Sequence, residues 1–171
     1  MQMFRIEADR LYWIKGDADD PEDFCLHGHV TVRIGDVQIE DDCTVSATAM
    51  CLLRTLTEDH IPQPDGAQIQ MLPCCGHFLV ANEDLTNVYI DCCPYGTDWA
   101  VIHEGNSVRL KPEGGEDVLV PMEEYRREVY RFADRIEAYY ASCTPKIEPE
   151  DEFQRNGRIA FWNEWRRRRE G

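Results

Sequence analysis

The spacing of apolar positions along the chain predicts strands first. Phe4 and Ile6, then Leu11 to Ile14, read as a short hairpin, and the polar stretch from Gly16 to Asp23 reads as a turn-rich loop. Residues 26–34 alternate cleanly. Leu26, Gly28, Val30, Val32 and Ile34 take one face and His27, His29, Thr31 and Arg33 the other, which is the period of a half-buried antiparallel strand. Gly35-Asp36 supplies a tight turn into Val37 and Ile39.

The period then changes to that of a helix. Val45, Ala49, Leu52, Leu53 and Leu56 recur at helical spacing, and Ser46 is placed to cap a helix running from about Ala47 to Asp59. The prolines and glycine between His60 and Gly66 break it. A meander of short strands follows, expected near 68–72, 75–80, 88–93, 98–103, 106–111 and 117–120. Pro121 opens a second helix, whose stripe of Met122, Tyr125, Val129, Phe132, Ala133, Ile136 and Tyr140 should lie on the sheet and end near Ser142. The segment Glu150 to Glu170 reads as a third helix with a soft spot at Gly157, with Phe153, Phe161 and Trp165 on one face and Trp162 beside them, and with Phe161 and Trp165 expected to be buried. The expected architecture is α+β: an antiparallel meander sheet with helices packed on one face, in a single domain over residues 1–171, with the C-terminal helical segment 150–170 packed on it.

Composition narrows the class. A chain of 171 residues, 43% apolar and 10% aromatic, can bury its own core and is neither disordered nor membrane-spanning in character. The N-terminus lacks an uninterrupted apolar signal segment, since Glu7, Asp9 and Arg10 divide it, so a cytoplasmic location is expected. In that setting the eight cysteines are expected to be reduced thiols.

Charge changes the picture most. The net charge is −15, and it is unevenly placed: residues 1–154 hold 12 basic and 31 acidic side chains, net −19, whereas 155–171 hold six arginines and two glutamates, net +4. An acidic body repels phosphate backbones and attracts cations, which argues against nucleic acid and for a basic protein partner. Asp17, Asp19, Asp20, Glu22 and Asp23 in the first loop, with Glu40, Asp41 and Asp42 further on, are the expected contact residues. The C-terminal Arg166 to Arg169 run has acidic neighbours within the same molecule and is expected to be structural.

One local constellation could carry chemistry. If Phe78 pairs with Ile90 and Val80 with Val88, a hairpin places Cys75, His77, Asp91 and Cys93 on one face. That set suits a zinc site and equally a thiol nucleophile with its base and orienting group, and it could as well be packed thiols beside a hydrogen-bonded His–Asp pair. Cys25, His27 and His29 share a strand face in the same way, though they fit the polar side of a half-solvated strand. Nucleotide-binding glycine patterns, the serine-hydrolase elbow and the metalloprotease helix motif are all missing. In size, charge and lack of catalytic motif the chain resembles bacterial immunity proteins, which implies a non-enzymatic acidic protein that neutralises a basic toxin domain; this is a likeness of general character and carries over no residues. The alternative is a zinc- or thiol-dependent site on the Cys75/His77/Asp91/Cys93 hairpin.

Overall fold

A computed structural model describes residues 3–16, 18–65, 68–76 and 78–171. Within them the fold is α+β, with three antiparallel sheets and three helices. Strands β1 (Phe4–Tyr12), β2 (His27–Ile34) and β3 (Val37–Thr44) form the first sheet in that order. The alternation in 26–34 is realised: Leu26, Gly28, Val30, Val32 and Ile34 are buried. The expected hairpin within residues 4–14 is instead one strand, because β1 pairs with β2 from Phe4↔Ile34 to Tyr12↔His27 and absorbs Asp9 as a bulge between Ala8 and Arg10.

Helix α1 (Val45–Arg54) follows β3 without a loop. It starts two residues before the expected position, so Ser46 is a buried helical residue and the cap position falls on Thr44, which makes no side-chain capping bond. It stops at Arg54, where the Thr55 hydroxyl turns back to donate to the Leu52 carbonyl at 2.7 Å.

The meander is divided. Strands β4 (Phe78–Ala81) and β5 (Val88–Asp91) make a two-stranded sheet, and β6 (Ala100–Glu104), β7 (Ser107–Lys111) and β8 (Val118–Pro121) make a three-stranded one. Residues 68–72 are not a strand. Their backbone is diverted into a single bridge, Leu72↔Thr97, and the Met71 amide donates to the Asp98 side chain at 3.0 Å rather than to a neighbouring strand.

Helix α2 (Met122–Ser142) carries the expected stripe, burying Tyr125, Val129, Phe132, Ala133 and Ile136. Tyr125 meets Phe4 with ring centroids 5.0 Å apart and shares a 2.7 Å hydrogen bond with Thr55, so one residue joins sheet, α1 and α2. Arg131 and Arg135 of α2 donate to the Ile6 and Ala8 carbonyls, at 2.7 and 2.6 Å. These bonds cover the open edge of β1, which would otherwise template pairing with another chain.

Helix α3 (Glu152–Glu170) begins at Asp151, whose side chain accepts from the Gln154 amide at 2.9 Å. Phe161 and Trp165 are buried, as expected, while Phe153, in the first turn of the same face, is exposed. Gly157 is the opposite of a soft spot: it is buried, and a Cβ there would stand 2.9 Å from the Leu79 Cβ, 3.0 Å from its carbonyl carbon and closer still to its carbonyl oxygen. The glycine lets α3 lie directly on the backbone of β4.

Replacing Gly157 by alanine therefore sets two effects against each other. Helix propensity favours alanine by about 1 kcal/mol, while pressing a methyl group into a packed backbone costs about 1–3 kcal/mol. The clash should win, and Gly157→Ala should lower the urea midpoint; an unchanged or raised midpoint would show that α3 can slide off β4 at no cost.

Candidate functional site

The hairpin β4–β5 adopts a register one residue away from the expected one. Leu79 pairs with Ile90, Ala81 with Val88, and Phe78 with Asp91. The cause is α3: Leu79, Val88 and Ile90 are buried toward it, which turns Phe78 and Tyr89 outward at 57% and 59% exposure. Asp91 consequently lies on the exposed outer face with Phe78.

Beyond the paired residues the chain leaves the sheet at both ends, and there the thiols meet. Cys74, Cys75 and Cys93 have sulfur atoms within 4.8 Å of one another, the only such group of potential metal ligands among the described residues. The Cys93 amide donates to Cys75 Sγ at 3.2 Å. Of the expected set, Cys75 and Cys93 are brought together, Asp91 is not, and His77 lies outside the described residues. Cys74 takes a place that strand alternation had denied it. Residues 73–76 and 92–93 are not in strands, so the rule that sorts neighbours to opposite faces does not apply there.

Cys74 and Cys93 lie at disulfide distance, with Cα atoms 7.0 Å apart, and the other six cysteines are free. The expectation of eight reduced thiols is corrected for this pair: the hairpin ends converge and carry the two sulfurs into contact. Burial raises the Cys25 thiol to about 11 and Cys43 and Cys51 to about 12. Those three are protonated packing residues. The strand group Cys25, His27 and His29 does not converge either, since His27 Nδ1 contacts the Cys25 carbonyl at 2.9 Å while His29 faces Asp42 at 3.3 Å.

The acidic residues serve two different ends. Asp17 lies outside the described residues. Asp19 accepts from the Thr144 amide at 2.7 Å, Asp20 from the Glu22 amide at 3.0 Å, and Asp23 from the amides of Ile14 and Cys25 at 2.8 and 2.9 Å. Hydrogen bonds from Thr144 and from the Glu22 amide respectively hold the Asp19 and Asp20 carboxyls below the usual range. The loop is thus a clasp on the segment after α2, reinforced by Lys146, which donates to the Asp20 carbonyl and sits 3.2 Å above the Trp13 ring. Asp41 accepts from Thr97 at 2.7 Å. Glu22, Glu40 and Asp42 are exposed; Asp42 faces His29 at 3.3 Å and Arg10 at 3.6 Å, and Glu40 accepts from Gln38 at 2.7 Å.

A cavity of about 620 Å³ lies between α1, the β4–β5 hairpin and α3. Its charged lining is internally matched. Glu164, 1% exposed, accepts from Arg54 Nε and Nη2 at 2.8 and 3.0 Å, from Arg168 Nε at 2.8 Å and from the Val88 amide at 2.9 Å. His60 Nε2 meets Asp98 at 2.7 Å, and Asp98 also accepts the amides of Met71 and Trp99, both at 3.0 Å. Neither node was visible in the sequence, because partners 110 and 38 residues apart share no local pattern.

Compared with known protein families, characterised proteins and solved structures, the chain matches none. Among the described residues no helix is long and apolar enough to cross a membrane.

Burial alone would raise the Glu164 carboxyl, but the hydrogen bonds and charge of Arg54, with the Val88 amide and Arg168, outweigh it and hold the carboxyl low. A lowered folded-state value means that the ion pair stabilises fully above the unfolded glutamate value of about 4.3 and loses its effect as pH falls through the folded value. Glu164→Gln should cost about 3–5 kcal/mol at neutral pH by leaving Arg54 without its anion. The gap between variant and parent in denaturant melts should close as pH drops below about 4. A gap that is constant with pH would remove charge from the explanation.

Proposed function

We propose that this chain is a cytoplasmic, non-catalytic acidic binding protein of the immunity type, whose partner is a basic protein such as a toxin domain. The observation that carries the reading is the fate of its positive charge. All six arginines of the C-terminal segment donate within the chain. Arg155 and Arg158 bond to carbonyls of 147–150 and of Glu22, Arg166 to Asn163, and Arg167 to Thr86 and Asn87. Arg168 reaches Glu58 and Glu164, and Arg169 reaches Asp134 and Glu137. The basic segment is drawn into contacts within the chain, with Arg155, Arg168 and Arg169 facing carboxylates, which supports the reading that the net −15 is the field a partner meets.

Location of the field follows from the sheet. Register places Arg10, His29 and Asp42 in one row, at the end of the sheet from which the 13–26 loop departs. Glu40 and Asp42 share one face of β3, the terminal strand of its sheet, and Glu22 is exposed in the loop that follows β1. Exposed carboxylates steer a cationic partner without the desolvation cost of a buried charge.

The test is kinetic. With a partner captured from the native host, association should slow markedly as the Debye length falls from ~10 Å at 0.1 M salt to ~3 Å at 1 M, while dissociation changes less. The triple variant Glu22→Gln, Glu40→Gln, Asp42→Asn should reproduce the slowing with an unchanged melting curve. An acidic partner, or an association rate indifferent to salt and to the three substitutions, would leave the charge as a solubility device.

A further inference from the structure

The converging thiols are a separate matter from the acidic surface, and they admit a specific reading. We propose that Cys74, Cys75 and Cys93 form a three-thiolate site for a thiophilic divalent cation of the zinc type, occupied when the Cys74–Cys93 pair is reduced. Reduction by an external thiol or phosphine adds two electrons and two protons to the pair and gives two thiols. Binding the cation then releases three protons and leaves a site of net charge −1.

Geometry is the first support. Three sulfurs bonded to one tetrahedral zinc at about 2.3 Å are about 3.8 Å apart. The observed group, with all three sulfurs within 4.8 Å of one another, needs only side-chain adjustment to reach that spacing. The two contributing segments are also held independently of the sulfurs. Thr44 donates its amide to the Pro73 carbonyl at 2.8 Å beside Cys74, and the paired strands β4 and β5 fix the approach of Cys93. At 7.0 Å the Cys74–Cys93 Cα separation lies just beyond the usual disulfide range of about 4.4–6.8 Å. The backbone therefore spaces the pair widely enough to gather around an ion.

The second support is the surrounding chemistry. The Cys93 amide already points at Cys75 Sγ, at 3.2 Å, the type of outer contact that stabilises a metal-bound thiolate. Access is open, since Cys75 and Cys93 are partly exposed, whereas Cys25, Cys43 and Cys51 are sealed in the core.

Cobalt(II) titration of the phosphine-reduced full chain tests the site. One equivalent should produce thiolate-to-cobalt charge-transfer absorption with tetrahedral visible bands, and zinc should displace it. Cys74→Ser, Cys75→Ser and Cys93→Ser should each weaken cobalt binding by at least about 100-fold, more than loss of an outer contact does, while Cys143→Ser should leave it unchanged. If a serine variant misfolds, alkylation of the parent protein decides. Zinc should protect Cys74, Cys75 and Cys93 from iodoacetamide and leave Cys143 reactive. Absence of charge transfer in fully reduced protein, bands that survive loss of Cys75 or Cys93, or equal alkylation with and without zinc would each overturn the assignment.

Discussion

The carboxylate of Glu164 is the constraint to which much of the molecule refers. It is buried, yet it accepts four hydrogen bonds, from two arginines on different helices and from the backbone of a strand. The Val88 amide at the edge of a two-stranded sheet would otherwise have no partner, and an isolated hairpin of this size has little stability of its own. Glu164 takes that amide, while Gly157 two turns earlier lets the same helix press on the other strand. Helix α3 thus does for the hairpin what further strands do in a larger sheet. The position of Cys74 and Cys75 relative to Cys93 depends on that support, because the hairpin is what brings the two segments side by side.

Charge in this chain has an arithmetic aspect and a spatial one. The arithmetic is read from composition and does not change on folding, since a carboxylate that accepts an amide hydrogen bond keeps its charge. The spatial aspect does change. Asp19, Asp20 and Asp23 act as local caps and clasps, and Asp41 holds Thr97, so acids that look equivalent in a loop divide into those that build the molecule and those that only face solvent. The C-terminal arginines undergo a similar sorting. Of the run that reads as a basic tail, Arg167, Arg168 and Arg169 become cross-links to three segments outside α3, and Arg158 earlier in the helix reaches two more.

Legibility followed the range of the forces involved. The β2 alternation and the α2 stripe were readable because each is a local period imposed by one buried face, and Val30, Val32, Phe132 and Ile136 are where that period put them. The β4–β5 register was not readable, because local pairing of Phe78 with Ile90 looked as good as pairing of Leu79 with Ile90. The choice was made by α3, which begins more than 60 residues later in the chain. For the same reason Gly157 reads in the sequence as a weakness in a helix, until the backbone it lies against is known. The cluster of thiols was half visible. Cys75 and Cys93 were picked out by residue type and approximate opposition, while Cys74 was excluded by a strand geometry that ends before it is reached.

The dependence on α3 has a consequence for how the chain is made. Arg54 and Val88 leave the ribosome 110 and 76 residues ahead of Glu164. At translation speeds of roughly 5–20 residues per second, Arg54 waits on the order of 5–20 s for its counter-ion. During that interval the hairpin is present without the helix that covers it, with Leu79 and Ile90 uncovered and a strand edge open to any other nascent chain. The hairpin therefore stays without its cover until α3 has been made, whereas the first sheet can already pack against α1 and α2.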